Sequence, residues 1–148
     1  MTHRPTLRIQ LHAAGMPLPS RANSEDAGWD LTAMSVEALR PRVFRFDTGI
    51  SVQPPEGYYC EVAPRSSIVK TDFIVANGIG IIDPGYCGHI FVVMRYLGEG
   101  DGLDAALTMI GSRVAQLLVR RREDVRLERV DILDASARGE GGFGSSGR

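Results

Sequence analysis

Residues 43–62, VFRFDTGISVQPPEGYYCEV, hold two short apolar runs that are rich in aromatic and β-branched residues and separated by Asp, Gly and Pro. Short runs bounded by such turn residues are typical of β-strands. Similar runs recur along the chain, and together they predict an all-β fold, a barrel or a sandwich. The predicted strands are residues 7–11, 43–46, 58–62, 73–75, 90–94, 114–119 and 130–133.

Helical periodicity is scarce, so we expect at most one or two short helices, at residues 66–70 and 103–109. A chain of 148 residues is long enough to bury the core of one domain, which we place at residues 1–135. The Gly-rich remainder, residues 136–148, cannot bury enough apolar surface to order itself. We therefore predict a flexible tail.

The charge is nearly balanced, with 17 Lys and Arg residues against 18 Asp and Glu residues. Overall attraction to duplex DNA or an acidic membrane is not expected, so any anion must be gripped locally. Cys60 and Cys87 stand alone, which fits a reducing compartment and argues against a zinc module. P-loop, dinucleotide-binding, zincin and α/β-hydrolase signatures are missing. Without an apolar leader or membrane span, we expect a soluble cytoplasmic protein.

Hydroxyl groups and a cation meet at residues 63–70, APRSSIVK, where a predicted strand gives way to a helical turn. Ser66 and Ser67 suit either of two roles. They can cap backbone N–H groups of the turn, with Arg65 in a surface ion pair. Alternatively, the N–H groups, the hydroxyls and Arg65 can form a cradle for phosphate.

Residues 77–88, NGIGIIDPGYCG, are predicted to form a β-hairpin with glycine in both arms. Glycine in a strand often marks the close approach of a ligand, so backbone groups near Gly80 can read a pyrimidine edge, with Asn77 supplementing them. Asp83 follows two isoleucines and should be partly desolvated, a setting that helps a carboxylate act as a base on water. The alternative is an Asp-Pro-Gly turn capped by Asp83 itself.

Three further residues are candidates for the site: Asp30, Gln116 and Phe143. Asp30 ends a group of carboxylates in residues 24–31, SEDAGWDL, which suits either turns or water-mediated holding of Mg²⁺. Gln116 stands at an otherwise apolar position and needs a hydrogen-bond partner. Phe143, flanked by glycines after Arg138, suits either a linker or an arm that closes over a base and a phosphate chain.

Five segments occur in an order that resembles the five motifs of the trimeric dUTPase family. They are DAGWDL at 26–31, PRSS at 64–67, GIIDPGYCG at 80–88, GSRVAQL at 111–117 and RGEGGFGSSG at 138–147. The resemblance implies a jelly-roll-like, distorted β-barrel subunit and a homotrimer with active sites between subunits. It also implies that the tail, residues 136–148, is an arm that closes each site.

The resemblance further implies a reaction, the hydrolysis of dUTP to dUMP and pyrophosphate with Mg²⁺. Asp83 would activate the water that attacks the α-phosphorus, while Tyr86 would pack under the deoxyribose and exclude a 2′-hydroxyl. Asn77 and hairpin backbone near Gly80 would read uracil. Such an enzyme would limit uracil in DNA and supply dUMP for dTMP synthesis.

The metal, the phosphates and the arm account for the remaining implied contacts. Asp30 would hold Mg²⁺ through water, and Phe143 would stack on uracil. The phosphates would be bound by Arg65, Ser66, Ser67 and Gln116, with Arg138, Ser145 and Ser146 at the γ-phosphate and Gly144 beside them.

Three positions depart from the family pattern. Ser67 stands where the family usually has glycine, Ser112 where it has aspartate, and Ser146 where it has threonine. The hydroxyl of Ser67 can crowd or assist phosphate binding. The missing aspartate at position 112 removes an ion-pair partner for Arg113.

Two other functions compete with dUTP hydrolysis. dCTP deaminase, a relative with the same subunit fold, has similar motifs but needs a proton-shuttling glutamate where this chain has Val93. A non-catalytic regulator on the same scaffold should lose its catalytic residues first, whereas Asp83, Tyr86 and Gln116 are present. Both alternatives are therefore disfavoured.

Overall fold

A computed structural model of the chain describes residues 4–137 and 139–140. Within them lie ten β-strands, one 3-10 turn and one short α-helix, which confirms the all-β class and both predicted helical segments. None of the helices in these ranges has the length and apolarity to cross a bilayer. The elements are β1 (Arg8–Leu11), β2 (Trp29–Thr32), β3 (Ser35–Arg40), β4 (Val43–Asp47), β5 (Ile50–Gln53), β6 (Tyr58–Ala63), the 3-10 turn (Ser66–Lys70), β7 (Phe73–Val75), β8 (Gly80–Ile82), β9 (Phe91–Tyr96), α1 (Leu103–Thr108) and β10 (Arg113–Arg121).

The strands form three antiparallel sheets. One four-stranded sheet has the order β2-β10-β6-β8, and the other has the order β3-β4-β9-β7. β1 pairs with β5 in a separate two-stranded sheet. The ladders among the described residues do not close into a ring, so the expected distorted barrel is open.

A single buried cluster joins the three sheets. On β4, Phe44 and Phe46 are buried while Arg45 between them is partly exposed, the period of two expected of a strand with one face in the core. Met94 on β9 belongs to the same sheet, and Leu117 on β10 packs into the cluster from the opposite one. The apolar alternation along the chain therefore holds the sheets together.

Six predicted strands coincide with β1, β4, β6, β7, β9 and β10. The apolar pattern does not reveal β2, β3, β5 and β8, because these short strands carry polar residues or glycine. The prediction of a strand at residues 130–133 is wrong. Ile132 and Leu133 are 87% and 81% exposed, and no strand of the described chain pairs with them.

The predicted hairpin at residues 77–88 is also wrong. β8 hydrogen-bonds to β6, with Gly80 opposite Val62 and Ile82 opposite Cys60, and no strand follows β8 before β9. The longer strand β6, from another part of the chain, thus pairs with β8 in place of the local partner that the glycine spacing suggests.

Both cysteines are free, with Cys60 buried on β6 and Cys87 exposed. Burial raises the pKa of the Cys60 thiol to about 11. The thiol therefore stays protonated near neutral pH and is a poor nucleophile.

Candidate active site

A polar cavity of about 240 Å³ lies beside the end of β6. Gln116 on β10 is opposite both Asp30 on β2 and Ala63 on β6, so the sheet itself gathers distant parts of the chain here. The cavity wall includes Gly28, Asp30, Arg65, Ser66 and Gln116. Four of the predicted site residues therefore meet in one place.

Asp30 is shared between two arginines. Arg65 Nε donates to Asp30 Oδ1 at 2.7 Å, and Arg113 Nη1 donates to Oδ2 at 3.0 Å. The Asp30 side chain is 15% exposed, so solvent screens these ion pairs less than it would at an open surface. Asp30 therefore fixes the guanidinium of Arg65 at the cavity wall, and Arg113 has a carboxylate partner despite Ser112.

Ser67 supports the same guanidinium. Arg65 Nη1 donates to Ser67 Oγ at 3.2 Å and to the backbone oxygen of Arg113 at 3.5 Å. The 3-10 turn begins after Arg65 without a side-chain cap, which excludes the capping alternative for the two serines. Ser66 and Ser67 are exposed, so their hydroxyls can donate to an anion.

Gln116 has the partner that its polar side chain needs. Its Nε2 donates to the backbone oxygen of Pro64 at 3.0 Å, which ties β10 to the residue before Arg65. A Cβ atom at Gly28 would lie 2.5 Å from Gln116 Oε1 and 3.1 Å from its Cβ. Gly28 is therefore a site residue that sequence reasoning missed. The sequence shows a glycine two residues before Asp30, but the need for glycine there follows only from the pairing of β2 with β10, which brings Gln116 against it.

The second group of predicted residues lies on β8 and the segment after it. Asp83 is exposed, and Ile81 is 56% exposed. The expected partial desolvation of Asp83 is wrong within a single chain, because one of the two isoleucines faces solvent. The backbone N–H of Tyr86 donates to the backbone oxygen of Asp83 at 3.0 Å, which makes the segment a tight turn.

Tyr86 lies against Gly88. Its hydroxyl donates to the backbone oxygen of His89 at 2.9 Å, and the side chain remains 43% exposed. A Cβ atom at Gly88 would lie 2.5 Å from Tyr86 Oη, so this position of the ring requires glycine. The exposed ring is a flat apolar surface on which a ligand can pack.

Asn77 and Gly80 flank the start of β8. Asn77 is exposed, and its carboxamide is free to face a ligand. A Cβ atom at Gly80 would lie 3.5 Å from Asn77 Nδ2 and from Val62 Cβ, ordinary van der Waals distances. Packing within the described chain therefore does not require glycine at position 80. The predicted reason for this glycine, the close approach of a ligand or another backbone, stays a prediction.

Glu61 lies on β6 between the two groups. Its carboxylate accepts hydrogen bonds from Tyr59 Oη at 2.8 Å and from Arg120 Nε at 3.0 Å. The bond from Tyr59, followed by that from Arg120, lowers the pKa of Glu61, and the shared bond raises the pKa of Tyr59. Glu61 therefore stays ionised at neutral pH and cannot serve as a proton donor.

The two groups do not meet within one chain. Along β6, Ala63 is opposite Gln116, and Cys60 is opposite Ile82, the residue before Asp83. Three residues along β6 and two strand spacings across the sheet correspond to roughly 10 Å in each direction. The cavity and Asp83 therefore lie at opposite ends of the β6–β8 ladder.

The predicted arm residues lie outside the described residues. They are Arg138, Phe143, Gly144, Ser145 and Ser146. Their roles remain predictions.

The residue predicted to hold a metal ion at the cavity is Asp30. In the described ranges, no group of three or more His, Cys, Asp or Glu side chains could hold a metal ion. Both oxygens of Asp30 already accept from arginines, so a cation here would be held through water. Mg²⁺ commonly keeps several waters when phosphates supply its other ligands. The donor set fits the predicted water-mediated role of Asp30.

An open, jelly-roll-like fold with a polar cavity lined by a guanidinium, a hydroxyl, a carboxamide and two carboxylates, Asp26 and Asp30, defines an all-β protein with a charged surface site. A profile of the dUTPase family matches residues 14–147. The deoxyuridine 5'-triphosphate nucleotidohydrolase of Solibacter usitatus is 41% identical over 152 residues, covering 100% of both chains. The chain belongs to the dUTPase family.

Solved structures agree with this assignment. The Staphylococcus bacteriophage 80alpha dUTPase with dUPNHPP has a TM-score of 0.79 at 28% identity, covering 97% of this chain and 99% of that one. A mutant dUTPase from phage phi11 of S. aureus, described with a structural Mg(II) ion, has a TM-score of 0.67 at 21% identity, covering 86% and 97%. These likenesses confirm the predicted fold type.

Gly28→Ala should destabilise the protein by about 1 to 3 kcal/mol, because the new methyl group overlaps Gln116 and must displace it from Pro64. Gly85→Ala is the matched control, since a Cβ atom there meets nothing within 4 Å, and it should cost less than about 0.5 kcal/mol. Urea denaturation followed by circular dichroism measures the free energy of unfolding of both variants. Equal stability of the two would contradict the packing described for Gly28.

Proposed function

We propose that the chain hydrolyses dUTP to dUMP and pyrophosphate. The observation that carries the proposal is the Arg65 guanidinium, which Asp30 holds at 2.7 Å beside Ser66 and Gln116 around one polar cavity. Charged and neutral donors on one wall are suited to phosphate oxygens. Membership of the dUTPase family and the dUTP analogue dUPNHPP in a structural neighbour support dUTP as the triphosphate.

Asp83 is the proposed base. Its exposed carboxylate can accept a proton from a water molecule, whose oxygen then attacks the α-phosphorus as pyrophosphate leaves. Closure of the site would exclude bulk water and strengthen the interaction between Asp83 and this water. The other residues contribute positioning and charge stabilisation.

The nucleoside is read by the second group of residues. Tyr86, with its ring 43% exposed, packs under the deoxyribose and leaves no room for a 2′-hydroxyl. Asn77 and backbone groups near Gly80 hydrogen-bond to the uracil edge. Ribose and the other bases are thereby discriminated against.

The phosphates bind at the cavity. Arg65, Ser66 and Gln116 contact them, and Ser67, which accepts from Arg65 at 3.2 Å, keeps the guanidinium in place and adds a hydroxyl. Mg²⁺, when bound, supplies positive charge to the triphosphate, and Asp30 holds it through water.

We further propose a homotrimer whose sites are shared between subunits. The cavity and Asp83 must reach the same triphosphate, yet one chain separates them along β6 and across the sheet. Apolar side chains after β10 are also uncovered, Leu127 at 93% and Ile132 at 87%, as expected of surface that another chain buries. Sedimentation at three times the 16.1 kDa chain mass would support this assembly.

The C-terminal arm, residues 136–148, closes each site. Phe143 stacks on uracil, and Arg138, Gly144, Ser145 and Ser146 surround the γ-phosphate. In the cell this activity limits uracil in DNA and supplies dUMP for dTMP synthesis. The proposed compartment is the cytoplasm, which suits two free cysteines.

Pyrophosphate release with Mg²⁺ across dUTP, dTTP, dCTP and UTP tests the function. Turnover of dUTP should exceed that of each other nucleotide by at least about 10²-fold, because the base and sugar contacts are specific. Ammonia release from dCTP would instead indicate a deaminase.

Asp83→Asn should lower kcat by at least about 10²-fold, because an amide cannot accept the proton of the attacking water. Titration calorimetry with dUPNHPP should show binding within about threefold of wild type, since the base acts mainly in the transition state. Asp104→Asn, an exposed aspartate on α1, is the control and should keep its activity. Full turnover by Asp83→Asn would refute the proposed base.

Deleting residues 138–148 should lower kcat/KM by about 10²-fold, because the closing contacts to uracil and the γ-phosphate are lost. The melting temperature of the truncated chain should change by no more than about 3 °C, since the core lies in residues 7–119. Normal turnover after truncation would rule out the arm as a lid.

A further inference from the structure

Two histidines stack beside the segment that carries Asp83 and Tyr86. The rings of His12 and His89 have centroids 3.8 Å apart and an interplanar angle of 20°. His12 follows β1, and His89 lies between Tyr86 and β9. The fold therefore joins an edge of the two-stranded sheet to the proposed nucleoside site.

Hydrogen bonds set the tautomer of each ring. Asp47 Oδ2 lies 2.8 Å from His89 Nδ1, and an ionised carboxylate only accepts, so Nδ1 carries a proton. Ser51 Oγ donates its one hydrogen to the Gly88 oxygen at 2.8 Å. His12 Nε2, also 2.8 Å from Ser51 Oγ, must therefore donate to it. Each ring thus donates one hydrogen bond, which its neutral form can supply. We call His12, Asp47, Ser51 and His89 the histidine network.

The histidine network holds the chain in place between Ile90, which is buried, and Tyr86. Ile90 is fully buried, and its backbone is bonded to the β4–β5 region. Before it, the network holds the Gly88 oxygen and the His89 ring. Tyr86 then donates to the His89 oxygen at 2.9 Å. The position of the Tyr86 ring therefore depends on the His89 backbone that the network fixes.

We propose that the histidine network positions Tyr86 and Asp83 for the nucleotide, and that double protonation of the stacked rings loosens this hold at acid pH. The proposal rests on the function proposed for Tyr86 and Asp83. His12 and His89 are positioning residues, since they act on the nucleotide through the segment at 83–88.

The neighbouring charges determine the direction of the pH effect. Asp47 is the carboxylate in contact with the stacked pair, at His89, whereas His12 faces the neutral Ser51. The next cation is Arg45, whose guanidinium lies 4.5 Å over Phe91, a ring 5.9 Å from His89. The Tyr86 hydroxyl faces a backbone oxygen. A second proton would therefore put two cations in rings 3.8 Å apart, with one carboxylate between them to compensate. An unperturbed histidine side chain changes charge between about pH 5 and 8, which sets the two pH values to compare.

His12→Phe keeps a ring against His89 but cannot be protonated and loses the bond to Ser51, so each protein is compared with itself at two pH values. We would measure KM and kcat for dUTP with full-length wild type and His12→Phe at about pH 7.5 and about pH 5.5. The rise of KM at the lower pH should be at least about threefold larger in wild type than in His12→Phe, and the fall of kcat should also be larger in wild type, because Asp83 lies on the same segment as Tyr86. Protonation of the substrate affects both proteins equally and cancels. Equal KM ratios would overturn the proposal.

Hydrogen exchange of residues 83–90 tests the positioning without catalysis. After correction for intrinsic exchange, wild type should exchange at least about threefold faster at the lower pH, and His12→Phe should show a smaller difference. Unchanged protection in wild type would overturn the network even if dUTP is hydrolysed. Conversely, pH-dependent exchange in a wild type that releases no pyrophosphate would support the network and overturn the hydrolytic function.

Discussion

Asp30 accepts from Arg65 at 2.7 Å and from Arg113 at 3.0 Å, and these three residues come from three separate parts of the chain. The shared carboxylate holds the ends of β2, β6 and β10 together where the polar cavity lies. Removing it would leave the guanidinium groups of Arg65 and Arg113, whose side chains are 24% and 54% exposed, without this shared counter-charge. Gln116 completes the arrangement by bonding to Pro64, so the strand register and the shape of the polar cavity depend on one another.

The departures from the family pattern are compensated locally around this ion pair. Ser67 occupies a usual glycine position, and its hydroxyl accepts from Arg65 at 3.2 Å. Ser112 lacks the usual carboxylate, yet Arg113 is paired through Asp30. Arg65 and Arg113 therefore both keep hydrogen-bond partners despite these replacements.

The division of the site into two groups follows from the same sheet. β6 lies between β10, which carries Gln116, and β8, which leads to Asp83. Because the pairings place these residues at opposite ends of β6, the shared site that we propose requires contributions from more than one copy of the chain. The apolar and exposed segment after β10 fits that requirement, since a single subunit leaves it uncovered.

Local patterns in the sequence determined the all-β class, six strands, both short helical segments and the need of Gln116 for a partner, because alternation and turn residues act over a few positions. Motif order predicted which residues belong to the site, and four of them line one cavity. Tertiary structure decided that β8 pairs with β6, that Asp83 is exposed, that residues 130–133 form no strand, and that Asp30 joins Arg65 to Arg113. The stacking of His12 on His89 is of the same kind. Each of these features depends on whether residues far apart in the chain meet. Short-range sequence patterns do not specify which distant partner completes a strand or neutralises a charge.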